Sequence, residues 1–183
     1  MSTTKVFEYA QKMTDAMIVL RDSGHTVPAL MLTYAAIDQM AWLAAPQERT
    51  TNADFKNWVS TYMLTKNTMN VTVDELWEAR NGLLHTGTAE SSANQRDTSI
   101  RKVFYTVGAV KNTVNNDPAV VFVNAGDFFG RFLNAVMWFT SAMESDPALL
   151  ANALAKLDRM LIERGLDKAY SSAGEQISSP GSF

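Results

Sequence analysis

The chain has 183 residues, 46% hydrophobic and 19% charged, the balance of one folded domain rather than a disordered polymer. It has no cysteine and only two histidines. That excludes a disulfide scaffold, a thiol nucleophile and cysteine-bearing zinc sites, and it leaves too few imidazoles for a metal cage. The net charge of −3 argues against a broad basic surface for duplex nucleic acid but leaves room for a local basic cleft.

Taken in chain order, the first helical period runs from Thr4 to Asp22, with Val6, Phe7, Ala10, Met13 and Met17 recurring at helical spacing. Ser23-Gly24 ends it. A second helix from about Val27 to Ala44 is apolar nearly all round, as a core or interface helix is, and Asp38 is its one acid. A third runs from about Ala53 to Leu64. Thr72 and Glu75 form a capping box that opens a fourth, ending near Leu84 or His85. Thr86 to Thr98 is polar and small, so an exposed mobile loop is expected. Val103 to Val107 and Val120 to Val123 have strand composition, with Lys111 to Pro118 as the turn. A small antiparallel β-hairpin is the reading, and helix is the competing reading of the first run. Helical periodicity returns from Ala125 to Glu144, and Asp146-Pro147 starts a last helix to about Arg164. Residues 171–183 are Ser/Gly-rich and expected to be disordered. The expectation is a mainly α chain: one domain over residues 1–170, of about six helices and a hairpin.

Met1 to Lys5 carries no basic run leading into an apolar core, and the apolar stretch from Ala119 to Met143 is interrupted by Asp127 and Arg131. Neither a secretory signal nor a membrane span is expected. A soluble cytoplasmic protein without a cofactor or metal is the default.

The segment that carries chemistry is Thr72 to Gly87. On a helix, Val73, Leu76, Trp77, Leu83 and Leu84 form an apolar stripe with Arg80 near its centre. A guanidinium there calls for a partner. Asn81 and His85 are four apart and stack along the flank. Arg80 and His85 stand roughly 140° apart around an ideal helix. They meet only if the helix loosens near Gly82 or if two copies face each other. Arginine matches phosphate oxygens, histidine moves protons near neutral pH, and asparagine can hold either in place. The set suits metal-independent phosphodiester cleavage, in which a ribose 2′-hydroxyl attacks and arginine steadies the charge on phosphorus. Against this stands a plainer reading, an arginine whose stem packs while its head reaches water and a histidine serving a helix dipole.

The run Arg80-Asn81-Gly82-Leu83-Leu84-His85 resembles the Arg-polar-x-x-x-His motif of the HEPN superfamily (higher eukaryotes and prokaryotes nucleotide-binding). The turn and apolar helix from Gly24 to Asp38 resemble the same family. The resemblance implies an all-α bundle that dimerises across the motif helices, with arginine and histidine of both copies forming one cleft for single-stranded RNA. It implies that Arg80 contacts phosphate, that His85 is the general acid/base and that Asn81 orients them, with Asp38 matching an acid of many members. The leading expectation is a homodimeric endoribonuclease in a defence or toxin–antitoxin setting, with an antitoxin or other protein partner. The alternative is a non-catalytic dimeric module that binds nucleotide, RNA or a protein in the same cleft. Two close Arg80 residues would repel each other, so an empty site should attract phosphate.

Arg96, Arg101 and Lys102 follow the polar loop and are candidates for contact with a phosphate backbone, or else a solvated face. His25 reads as a turn histidine. The aromatic and Met set from Phe128 to Met143 reads as core or interface. The chain has no Gly-rich phosphate loop, nucleophile elbow, His-Glu-x-x-His or calcium loop, which removes nucleotide kinases, serine hydrolases and zincins.

Overall fold

The computed structural model describes residues 3–65, 69–108 and 117–160. The chain is mainly helical: α1 (Thr4–Asp22), α2 (Thr26–Ala44), α3 (Asn52–Trp58), a π-helix (Val59–Leu64), α4 (Val73–Thr86), α5 (Ser92–Arg96), β1 (Lys102–Thr106), β2 (Val120–Asn124), α6 (Ala125–Ser145) and α7 (Pro147–Leu157).

Helix α2 is the hub, as its all-round apolar sequence requires. Leu30, Tyr34, Ile37, Met40 and Leu43 are fully or almost fully buried, and α1, α3, α6 and α7 all pack on it. Its C-terminal carbonyls are covered from a distance. Lys156 on α7 is buried and its Nζ donates to the carbonyls of Trp42 at 2.7 Å, Gln47 at 3.0 Å and Ala45. Asn152 Nδ2 donates to the carbonyls of Leu43 and Ala45, both at 2.8 Å. A cation at a helix C-terminus also meets the negative end of the dipole. Burial pushes the Lys156 ammonium below its ordinary value.

The strands pair in parallel, Lys102 opposite Val120 through Thr106 opposite Asn124, so the expected antiparallel hairpin is corrected. The chain between them, residues 107–119, is of the dozen or so residues that a parallel crossover needs and longer than a hairpin turn. Most of the expected turn, Lys111 to Pro118, lies outside the described residues. Val103, Val121 and Val123 face the core, and Phe104 and Phe122 face outward.

Three further expectations change. The third helix is not α throughout, because its second half winds as a π-helix that closes with a hydrogen bond from Thr65 N to Ser60 O at 3.1 Å. The loop expected over Thr86 to Thr98 carries α5, whose cap Ser91 and Asn94 form a buried capping box. The last helix stops at Leu157, where Arg159 N and Met160 N turn back onto Lys156 O and Leu157 O, three residues earlier. Residues 161–183, including the tail expected to be disordered, lie outside the described residues. Among the described residues no helix is long and apolar enough to cross a membrane.

An ion pair fixes α4 against β1. Glu75 is buried, and Arg101 reaches it through Nε to Oε1 at 2.5 Å and Nη2 to Oε2 at 3.1 Å. Thr72 N donates to the same carboxylate at 2.7 Å, closing the predicted capping box. Burial pushes the Glu75 carboxyl up, but Arg101 and Thr72 outweigh it and hold the group below its ordinary 4.5. Around that pH the folded chain therefore binds fewer protons here than the unfolded chain. The stabilisation is full above pH 4.5 and is lost as pH falls through the lowered value. The melting temperature is expected to drop as pH falls below 4.5, and less steeply for Glu75→Gln.

Candidate functional site

Helices α2 and α4 bring Asp38, Arg80, Asn81 and His85 into one cluster. The Arg80 side chain is 19% exposed and that of Asp38 29%. Arg80 Nε and Nη2 both donate to Asp38 Oδ2, at 3.0 and 2.6 Å. Arg80 Nη1 donates to Asn81 Oδ1 at 3.1 Å and lies 3.3 Å from His85 Nε2. The partner that an arginine in an apolar stripe demands is thus the one acid of α2.

Arg80 and His85 do meet within one chain, but not because the helix loosens. Helix α4 is regular through Thr86, and Gly87 caps it in the left-handed region at φ 69°. The length of the arginine side chain spans the angle. Gly82 serves another purpose. A Cβ there would sit 2.7 Å from Thr88 O and 3.0 Å from Glu90 O, so glycine lets the following segment lie directly on the helix. Gly82→Ala is expected to cost up to about 2 kcal/mol. Overpacking of about 1–3 kcal/mol outweighs the roughly 1 kcal/mol of helix propensity that alanine gains. Urea unfolding measures it.

A guanidinium has no acceptor, so the contact with His85 is one in which Arg80 donates and Nε2 accepts. That places the lone pair of neutral His85 on Nε2 and its proton on Nδ1. His85 is exposed, and four of the five guanidinium N–H groups are engaged, leaving one on Nη2. Burial is the largest influence on Asp38 and pushes its carboxyl above 3.8, which the hydrogen bonds and charge of Arg80 and the charge of His85 counter only in part.

Two further residues join the cluster: Trp77, which the sequence places only in the apolar stripe, and Glu78, which it does not single out. The Arg80 guanidinium carbon lies 5.3 Å from the Trp77 ring centroid, and Trp77 packs on buried Phe55 at 5.1 Å. Asn81 Nδ2 points to Glu78 Oε2 at 3.4 Å, which turns the amide so that its oxygen faces Arg80. Both sit three residues before their partners, the helical spacing that signals such contacts.

The other candidates stand apart from this cluster in their contacts. Arg101 is held by Glu75, Lys102 Nζ pairs with Glu90 Oε1 at 2.9 Å, and Arg96 Nε bonds Ser92 O at 3.1 Å on its own helix. His25 is the N-cap residue of α2 and makes no side-chain cap bond. Among the described residues no group of three His, Asp or Glu side chains is placed to hold a metal ion.

No protein family, curated protein or solved structure matches the chain.

Proposed function

We propose that the chain is a metal-independent endoribonuclease of the HEPN type, acting as a homodimer on single-stranded RNA at the Arg80–His85 cluster. The observation that carries the reading is the placement of His85 Nε2 at 3.3 Å from an arginine that is itself fixed by Asp38. Asp38 does not touch phosphate in this reading, since two anions would repel. It holds the guanidinium.

When a phosphodiester enters, one of its oxygens takes the Nη1 N–H that now rests on His85, and the unengaged Nη2 N–H takes another. Nε2 is then free to accept the proton of the ribose 2′-hydroxyl. The 2′-oxygen bonds to phosphorus and the bond from phosphorus to the 5′-oxygen breaks. The leaving oxygen takes a proton from the imidazolium of the second copy's His85. The products are a 2′,3′-cyclic phosphate and a 5′-hydroxyl, so no outside nucleophile is needed.

The test is incubation of the purified chain with a mixed single-stranded RNA pool in EDTA. Cleavage to those ends is expected, and intact RNA contradicts the reading. Inorganic phosphate is a second probe. At about 100 times its dissociation constant it should stabilise the fold by roughly 2.7 kcal/mol. That raises the melting temperature by several degrees, an effect Arg80→Ala should remove.

A second reading, a non-catalytic dimeric module for a nucleotide, RNA or protein partner, draws on the heavy engagement of Arg80. With Asp38 neutralising it, Arg80 has little positive charge left to steady the charge that develops on phosphorus during cleavage. Phosphate-dependent stabilisation without RNA cleavage favours that reading.

A further inference from the structure

His85 lies in the last turn of α4, two residues before Gly87. Its ring is exposed, and its one hydrogen-bonding contact is the 3.3 Å approach to Arg80 Nη1. Arg80, by contrast, is held twice by Asp38 and once by Asn81. The arginine is fixed by its partners, and the histidine chiefly by the backbone that carries it. A helix end is a poor anchor. Its last four carbonyls have no donor within the helix, and the final turn frays unless donors come from outside.

Here the donors come from the segment that follows. Gly87 N donates to Leu83 O at 3.1 Å and Thr88 N to Gly82 O at 3.2 Å. These are the paired bonds of a Schellman cap, which needs a residue in the left-handed region, and Gly87 is that residue. Thr86 Oγ1 adds a bond to Gly82 O at 2.8 Å. The chain then runs back over the helix, so that Thr88 O and Glu90 O lie where a side chain on residue 82 would sit. Thr88 Oγ1 bonds Thr86 Oγ1 at 2.8 Å and Glu90 O at 2.9 Å. At its far end Glu90 pairs with Lys102 on β1, and Ser91 is buried. Residues 87–91 are a strap tied down at both ends, and it crosses α4 at Gly82, between Asn81 and His85.

We infer that Gly82 and Gly87 are positioning residues for His85. Gly87 lets the cap close, Gly82 lets the strap lie on the helix, and together they keep Nε2 beside the Arg80 guanidinium. For its effect on rate this rests on the ribonuclease reading of the cluster; for its effect on the imidazole it rests on geometry alone. Misplacing a reacting group by about 1 Å costs on the order of 100-fold in rate. Phosphate binding escapes that loss, because Asp38 and Asn81 still hold Arg80.

The test uses the full chain and a labelled single-stranded RNA oligomer in EDTA. Gly87→Ala forces a Cβ into left-handed backbone. It should lower kcat about 10- to 100-fold and leave KM within about threefold of wild type. Gly82→Ala should do the same, although alanine is the better helix former, because the strap is lifted. Gly87→Asn should keep kcat within about threefold of wild type, since asparagine tolerates the conformation. Gly24→Ala is the matched control. Gly24, at φ 80°, ends α1 with the same kind of cap, His25 N donating to Leu20 O at 2.8 Å, and like Gly87 it has nothing within 4 Å of an added Cβ. About 18 Å of α2 separates Thr26, which follows that turn, from Asp38. Gly24→Ala should lower the melting temperature as Gly87→Ala does and leave kcat within about threefold of wild type.

Nitrogen-15 spectra near about pH 8.5, where an ordinary imidazole is neutral, read the histidine directly, with His25 as internal reference. Wild type should show His85 with its proton on Nδ1, and the two alanine variants of the strap should show averaged tautomers. Strap variants that keep either the wild-type kcat or the wild-type tautomer overturn the inference, as does a wild type whose tautomers are already averaged. So does a Gly24→Ala variant that loses as much activity, since the loss then follows stability. Failure of the ribonuclease reading looks different: wild type leaves RNA intact, while the tautomer still changes in Gly82→Ala and Gly87→Ala and not in Gly87→Asn or Gly24→Ala.

Discussion

His85→Ala is expected to lower RNA cleavage by at least about 100-fold, within the 10²–10⁴ range for loss of a general acid–base group. Its fold should be almost unaffected, because His85 is exposed. Arg80→Ala should be as inactive but for two reasons. It removes the proposed phosphate contact, and it leaves the largely buried Asp38 without its cation, at a cost of about 1–3 kcal/mol. Arg80→Lys should not restore activity, since a single ammonium cannot reach Asp38, Asn81 and His85 together as the planar fork does. Initial rates with a labelled oligomer, read beside melting curves, separate the two effects. If His85→Ala retains wild-type rates, the histidine is a helix-end residue and nothing more.

Lys156→Met is expected to cause the largest loss of stability, about 3 kcal/mol. Methionine nearly matches the stem but takes the donor away from the carbonyls of Trp42, Ala45 and Gln47. Asn152 still serves Ala45, so the partly buried carbonyls of Trp42 and Gln47 bear the loss, each at the lower end of the about 1–3 kcal/mol for a group left without its partner. The Lys156 ammonium also sits 5.5 Å from the Trp42 ring centroid, a contact worth about 0.5–2 kcal/mol. By contrast, Lys5 and Asp158 form a pair whose side chains are 65% and 66% exposed, and Lys5→Ala should change stability by under about 1 kcal/mol. Urea unfolding of both variants gives the comparison. Equal small effects would mean that the α2 terminus is satisfied without the lysine.

Much of this architecture is legible in the residues, for identifiable reasons. Continuous apolar sequence marked α2 as a core or interface helix, and the Thr72–Glu75 capping box located the start of α4. Both are local signals. Strand composition located β1 and β2, but pairing direction depends on where the connecting chain runs, and composition is silent on that. The π-helix differs from an α-helix by a shift in hydrogen-bond partner that apolar periodicity over six residues does not register. Residues such as Lys156 and Arg101 look like surface charges in sequence. They are read correctly only when a helix end or a buried carboxylate more than 20 residues away is brought to them.

The cluster was legible in the same partial way. Arg80 demanded a partner and Asp38 was the one acid of α2, but their pairing shows only once α2 and α4 are packed together. The meeting of Arg80 with His85 could not be read from helical angles, because those describe Cβ directions and not the reach of a long side chain. Trp77 and Glu78 were hidden in plain spacing, three residues before the groups they hold.

In the proposed reaction this cluster turns the 2′-hydroxyl of RNA on its own phosphodiester. The most direct measurement compares a single-stranded RNA oligomer with the same oligomer carrying one 2′-deoxy residue at the site of cleavage, in EDTA, with the product ends identified by mass spectrometry. A 2′,3′-cyclic phosphate is expected from the first and no cleavage at the substituted position of the second. Cleavage at the deoxy position, or products with 5′-phosphate ends, would show that another nucleophile attacks and would contradict it.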